Sequence, residues 1–280
     1  MNEYFSREIE TCSIQGDGLL NEDALILNES LQIYGVVDGA TSLTAYRNKA
    51  GLTGGYLAAQ NVTAYFQGME EQQSLEEVAI EANAALQDQM LAEGIDTADS
   101  SALWSAACVV ARIHPYQIEY IQAGDCMLVC KYKDGSIRVL THTQVAHVDQ
   151  STQNVVEELR AQGVTDPAEI RERLIPRLQA NRKKANTLEG YGVMNGSPNF
   201  PLFLEKGTIN RANLQSIYMV SDGLFTGFKD WPDLIENIDK YSLSGFAEYI
   251  LEQEQEDGQR LKYPRLKGSD DKTGLVIHFD

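Results

Sequence analysis

The 280-residue chain predicts an α+β fold. Three observations carry that reading. Short strand-like runs follow one another across links as brief as "HPY", "GD" and "DG", and links this short join antiparallel strands. Helical text comes in pairs between strand groups, not in the strict βαβα alternation of a doubly wound sheet. No internal repeat, low-complexity tract or Pro-rich linker divides the chain, so residues 1–280 read as a single domain.

Each element follows from local pattern. Residues 4–14 and 24–37 read as strands, separated by the polar gap "GDGLLNED". Residues 46–68, "YRNKAGLTGGYLAAQNVTAYFQG", read as a helix despite their glycines. Residues 74–94 make a stronger one: Ser74 is an N-cap, Glu77 completes a capping box and Gly94 is the stop. Its apolar positions Leu75, Val78, Ala82, Ala85 and Leu86 keep helical spacing. A dense β block follows, "ALWSAACVVARI", "QIEYIQAG", "CMLVCKYK" and "SIRVLTH", read as successive hairpins. Residues 145–186 read as helical, most clearly in "DPAEIRERLIPRLQANRKK", and 186–203 as loop with short strands. "LQSIYMVS" is a strand, "LSGFAEYILEQEQEDG" an amphipathic helix and "DKTGLVIHF" a final strand.

Composition bounds the function. With 41 acidic against 23 basic residues the formal net charge is −18. That argues against a nucleic-acid backbone or an anionic membrane as partner, and it suits solubility and a cation site. Hydrophobic residues make up 43%, ample for a core. No apolar run reaches the length of a membrane-spanning helix, and "MNEYFSREIETCS" lacks the segments of a signal peptide. The expected compartment is the cytoplasm. Cys108, Cys126 and Cys130 lie in strand-like text and read, like Cys12, as unpaired residues of a reduced protein.

Acidic residues gather at element ends: "NEDA" at 21–24, "VVDG" at 36–39, "AGDC" at 123–126, "MVSDG" at 219–223 and "GSDDKT" at 268–273. Asp-Gly is also ordinary turn chemistry. Yet Asp38 and Asp222 follow strands, whereas Asp270 and Glu22 or Asp23 precede them. Antiparallel pairing would gather such carboxylates at one sheet edge. An oxygen-only set suits Mg²⁺ or Mn²⁺, and no histidine set accompanies it.

The order "NEDA … VVDG … GD … SDGLF … DDKTGLVI" resembles the metal-dependent protein Ser/Thr phosphatases of type 2C, over residues 21–277. The resemblance implies a four-layer α-β-β-α sandwich, two antiparallel sheets face to face with helices outside. It implies two to three Mg²⁺ or Mn²⁺ ions at one end of the sandwich. Carried over, Asp38 would bridge two ions, Gly39 would offer its carbonyl, Asp222 and Asp270 would be ligands, Glu22 would act through water, and Asp125 would serve a weaker third ion. Asp38 and Asp222 would be the residues catalysis depends on. The implied reaction is hydrolysis of phosphoserine or phosphothreonine in a protein substrate by a metal-bridging water.

The pattern departs in two places. The family's "DGHGG" is "DGATS" here, so Ala40 stands where a leaving-group histidine would be, as in a divergent bacterial branch of the family. Gly18 stands where the family often carries a phosphate-binding arginine; Arg47 is a candidate substitute. His114, His142, His147 and His278 match no site motif, and Arg182-Lys183-Lys184 reads either as a solvated face or as a landing site for phosphate. Three alternatives stay open: a phosphatase of a small phosphorylated metabolite, a catalytically silent domain that binds a phosphoprotein or partner, and a calcium module, which lacks an EF-hand loop.

Overall fold

Strands placed two to a hairpin and covered by amphipathic helices need an inner and an outer face, and the chain supplies both. The computed structural model describes residues 7–40, 42–263, 265 and 267–279. One sheet has the order β1 (Arg7–Ile14), β10 (Lys272–Phe279), β9 (Leu214–Val220), β6 (Met127–Tyr132), β7 (Ile137–Val139). The other has the order β2 (Asp23–Asn28), β3 (Ile33–Ala40), β4 (Ser105–Ile113), β5 (Gln117–Ala123), β8 (Glu205–Asn210). Every ladder is antiparallel. Positions 4–6 of the first expected strand lie outside the described residues.

Side-chain alternation sends each strand's apolar residues both ways. Val36, Val109, Leu128, Ile217 and Leu275 meet between the sheets. Val37, Ala106 and Cys108 face outward onto α1 (Gly54–Gln67) and α2 (Leu75–Ala92). Val129, Val220 and Val276 face α5 (Trp231–Tyr241) and α6 (Leu243–Glu256). These are the four layers. Helices α3 (Ala146–Ala161) and α4 (Pro167–Arg182) pack on each other instead, around Val156, Leu159, Ile170 and Leu174.

The capping box at Ser74 and Glu77 is present, and α2 ends at Ala92 with Glu93 as its C-cap, just before Gly94. Other expectations need correction. The stretch 24–37 is a hairpin, because Asn28 accepts from Ser30 and Leu31 and Gln32 takes φ 57°. Residues 46–53 are not helical: Asn48 and Gly51 close a turn, and the hydroxyl of Thr53 caps α1. β5 and β6 are not a hairpin. Gly124, at φ 82°, turns the chain from one sheet into the other, so β5 pairs with β4 and β8 while β6 pairs with β9 and β7. β8 and α5 were not anticipated. β8 buries only Ile209 and has no apolar alternation to show. α5 had a signal in Asp230, Pro232 and the spacing of Leu234, Ile235 and Ile238.

Candidate active site

Register brings the acids together. Asp23 stands directly opposite Asp38 across the β2–β3 ladder, a placement in which like charges repel. In the other sheet Val220 pairs with both Gly274 and Met127. Asp222 lies just past Val220, Asp125 just before Met127 and Asp270 just before β10, so antiparallel pairing carries all three past the same edge. The Gly124–Asp125 crossover joins that edge to the end of β5. The result is one acidic cleft at one end of the sandwich.

Backbone packing fixes its rim. A Cβ on Gly39 would lie 2.2 Å from the Gly55 carbonyl oxygen and 2.5 Å from that of Glu22. A Cβ on Gly55 would lie 2.7 Å from Glu22 Oε2. Glycine is therefore required at both, so that the start of α1 can press on the end of β3. The Glu22 carboxylate is buried and accepts from the Thr53 hydroxyl. Asp271 accepts from the amides of Gly16 (2.8 Å) and Glu22 (2.7 Å), tying the β10 entry to the β2 entry. Behind Asp270 the buried Lys272 ammonium donates to Glu254 Oε2 (2.7 Å), to Ser269 Oγ (2.7 Å) and to the Asp270 carbonyl (2.9 Å). A buried charge is tolerated when so partnered, and this one holds the Asp270 backbone in place.

Electrostatics mark the cleft as short of positive charge. Burial, then Asp23, Asp222, Asp125 and Asp270, push the Asp38 carboxyl well above its usual range, although part of its surface stays in contact with solvent. Asp125 is raised by burial and then by Asp222 and Asp149. Asp222 is raised by burial and Asp270, against a hydrogen bond from Asp38. Asp23 rises to about 8 through burial, opposed by the Ser221 hydroxyl 2.8 Å away. Lys267 Nζ lies 2.8 Å from Asp270 Oδ1; burial works against its charge, but Asp270, Asp38 and Asp222 prevail and raise its pKa.

Asp38, Asp125, Asp222 and Asp270 are thus within electrostatic reach of one another, and Glu22 lies against Gly39 and Gly55 on the α1 side. Among the described residues no three acidic, His or Cys side chains already converge at ligand spacing. The donor set nonetheless fits hard divalent cations: oxygen-only, crowded and under-neutralised. Arg47 is not drawn in; it lies exposed on the loop before α1 and donates to the Gly51 carbonyl at 2.8 Å. The histidines also have other neighbours: Glu119, Glu205, the Glu189 carbonyl, and Glu10 with Ser216. All four cysteines are free and buried.

Sequence reasoning underweighted Asp23, which "NED" already displays, and missed Asp149 and Lys267. Asp149, in the first turn of α3, is raised to about 6 by burial and then by Asp222. It sits in polar helical text with no motif around it. Lys267 was visible only as a basic residue three positions before Asp270.

Comparison with known proteins agrees with this fold. The family model described as protein phosphatase 2C matches residues 13–256. No curated protein matches the chain. Among solved structures, PppA, a key regulatory component of T6SS in Pseudomonas aeruginosa, is 15% identical with TM-score 0.59, covering 99% of each chain. The catalytic domain of the serine/threonine protein phosphatase PstP, in complex with 2 manganese ions, is 15% identical with TM-score 0.59, covering 97% of each. Stp1 from Staphylococcus aureus, a serine/threonine phosphatase, is 13% identical with TM-score 0.54, covering 98% of this chain and 96% of that one. At such identities the likeness is one of fold, and it is the match to the family model that shows the chain to be a member of the protein phosphatase 2C family of phosphoprotein phosphatases.

Proposed function

We propose that the chain hydrolyses phosphate monoesters of serine and threonine in protein substrates, with two to three Mg²⁺ or Mn²⁺ ions as cofactors. The observation that carries the reading is the register: Asp23 opposite Asp38, with Asp125, Asp222 and Asp270 at adjoining strand ends. Asp38, the Gly39 carbonyl, Asp222 and Asp270 would hold the ions, Glu22 would act through water, and Asp125 would serve a third. The manganese ions of PstP support this assignment by analogy of fold. Divalent ions, when bound, activate water and neutralise phosphoryl charge. The chain's own part is to orient. Asp271 and Lys272 fix the backbones that carry Glu22 and Asp270, and the Ser221 hydroxyl donates to Asp23. No side chain is required as nucleophile.

The test is hydrolysis of an aryl phosphate and of a phosphothreonine peptide, with and without Mn²⁺. Turnover of both, dependent on the ion, is expected. A small phosphorylated metabolite turned over far faster than the peptide would shift the substrate class. Gly18 and Ala40, standing where the family carries Arg and His, favour a second reading, a silent phosphoprotein-binding domain. Phosphopeptide binding without turnover would establish it.

A further inference from the structure

The geometry points to Arg182 as the residue that binds the substrate's phosphoryl group, in place of the arginine that Gly18 lacks; the inference rests on the proposed phosphatase reading. Arg182 is the last residue of α4, and its Nη1 donates to Ser105 Oγ at 2.8 Å. Ser105 is the first residue of β4 and pairs with Ala40 of β3. Side chains two apart on a strand share a face, so Ser105, Ala40 and Asp38 point the same way. That face is the one between the sheets, since Val36 continues it into the inter-sheet core. Ser105 is therefore the diagonal neighbour of Asp38, with side-chain roots about 7–8 Å apart. A guanidinium held on Ser105 therefore sits beside Ala40 at the end of β3, next to Asp38 on the same face.

A second observation agrees. The Tyr191 phenol, half-buried, is raised by burial, lowered by Arg182 and raised by Asp125 and Asp149. The arginine and two of the acids thus lie within electrostatic reach of the same hydroxyl. The surrounding wall is built. Met194 exchanges both backbone hydrogen bonds with Ala106, and the Asn186 side chain ties Val193 and Asn195. A basic residue at a helix C-terminus is often only a partner for the helix dipole, and Arg182 occupies such a position. Its bond across to β4 goes beyond that role. The guanidinium fork matches phosphoryl oxygens in a way an ammonium does not. The run Arg182-Lys183-Lys184 then divides by position: Arg182 reaches across to Ser105 and Lys183 stays exposed.

The experiment compares wild type, Arg182→Ala, Arg182→Lys and Ser105→Ala, each loaded with Mn²⁺. Calorimetric titration of inorganic phosphate and its competitive inhibition constant are read beside KM for a phosphothreonine peptide. Arg182→Ala should weaken phosphate at least about tenfold and raise KM by a similar factor, with Mn²⁺ affinity unchanged. Arg182→Lys should fold as wild type and recover only part of the loss. Ser105→Ala should cost less than Arg182→Ala. Phosphate affinity within twofold of wild type in both arginine variants overturns the inference. So does an equal loss in Ser105→Ala and Arg182→Ala, which would make Arg182 a strut between α4 and β4. If the wild type binds phosphate through Arg182 but turns nothing over, the phosphatase reading fails and the inference stands.

Discussion

The floor and the wall of the cleft are made differently. The floor is a set of carboxylates at strand ends, and each strand runs back into an extended core shared by two sheets. The wall is the α3–α4 hairpin, which rests on a core of four buried residues, and the segment after it, whose Met194 and Phe200 join the core under α1 and α2; together they supply arginine and lysine. Long-range register leaves the floor little freedom: moving Asp38 by one position would turn it, and every side chain of β3, to the other face. The α3–α4 hairpin, with its own separate core, is held less tightly to the sheets.

The largest effect expected from breaking the floor is chemical. Asp38→Asn and Asp222→Asn should each reduce kcat by about 10²–10³-fold or more, the cost of removing charge stabilisation from a transition state. Without metal the same variants should melt above wild type, because each removes one ionisable carboxyl from a crowded, buried set. Near-wild-type turnover at low Mn²⁺, or a lower melting temperature without it, contradicts the assignment.

Breaking the wall should look different. Leu174→Ala empties part of a four-residue core, and a large-to-small change of this kind costs about 2–5 kcal/mol. The loss should be local: faster amide exchange across α3 and α4, with β3 and β9 protected as before. Equal loss of protection in both sheets would show that the hairpin is integral to the sandwich.

The pH dependence sharpens the same contrast. Asp23 carries a folded-state pKa of about 8 against an unfolded value near 4, and Asp38 is shifted the same way. Between those values the folded state holds more protons than the unfolded one, so stability falls as pH rises. The metal-free protein should lose stability from about pH 4 to pH 8, and saturating Mn²⁺ should flatten that slope. A metal-free protein whose stability rises across that window contradicts the account. The smallest effect is expected from Ala40→His. A positioned general acid is worth about 10²–10⁴-fold at best, and an added imbidazole without its supporting bonds should deliver less. Phosphoserine-peptide turnover should change more than aryl-phosphate turnover, whose leaving group needs no proton; equal changes would place leaving-group protonation elsewhere.

The sequence displays the floor better than the wall for a physical reason. Asp38, Asp222 and Asp270 abut apolar strands, and the boundary between an apolar run and an acid is visible locally. The β5–β6 link is not: "AGDC" reads as a hairpin turn, and only the pairing partners show that it crosses between sheets. That crossing is what delivers Asp125. Gly39 was expected to serve the ion, yet its required smallness comes from Gly55 and Glu22, residues distant in sequence. Asp149, Lys267 and the Arg182–Ser105 contact depend on how a helix end and a loop fold back, which no local pattern encodes.

Everything proposed here depends on the acidic end of the sandwich being a cation site. Calorimetric titration of Mn²⁺ into the metal-free protein, with thermal unfolding recorded at each ratio, tests it most directly. The prediction is saturable binding of at least two ions in wild type. At about 100 times the dissociation constant each independent site should add about 2.7 kcal/mol of stability, and both signals should collapse in Asp38→Asn. An unchanged melting temperature across the titration, or the same binding in wild type and Asp38→Asn, would contradict it.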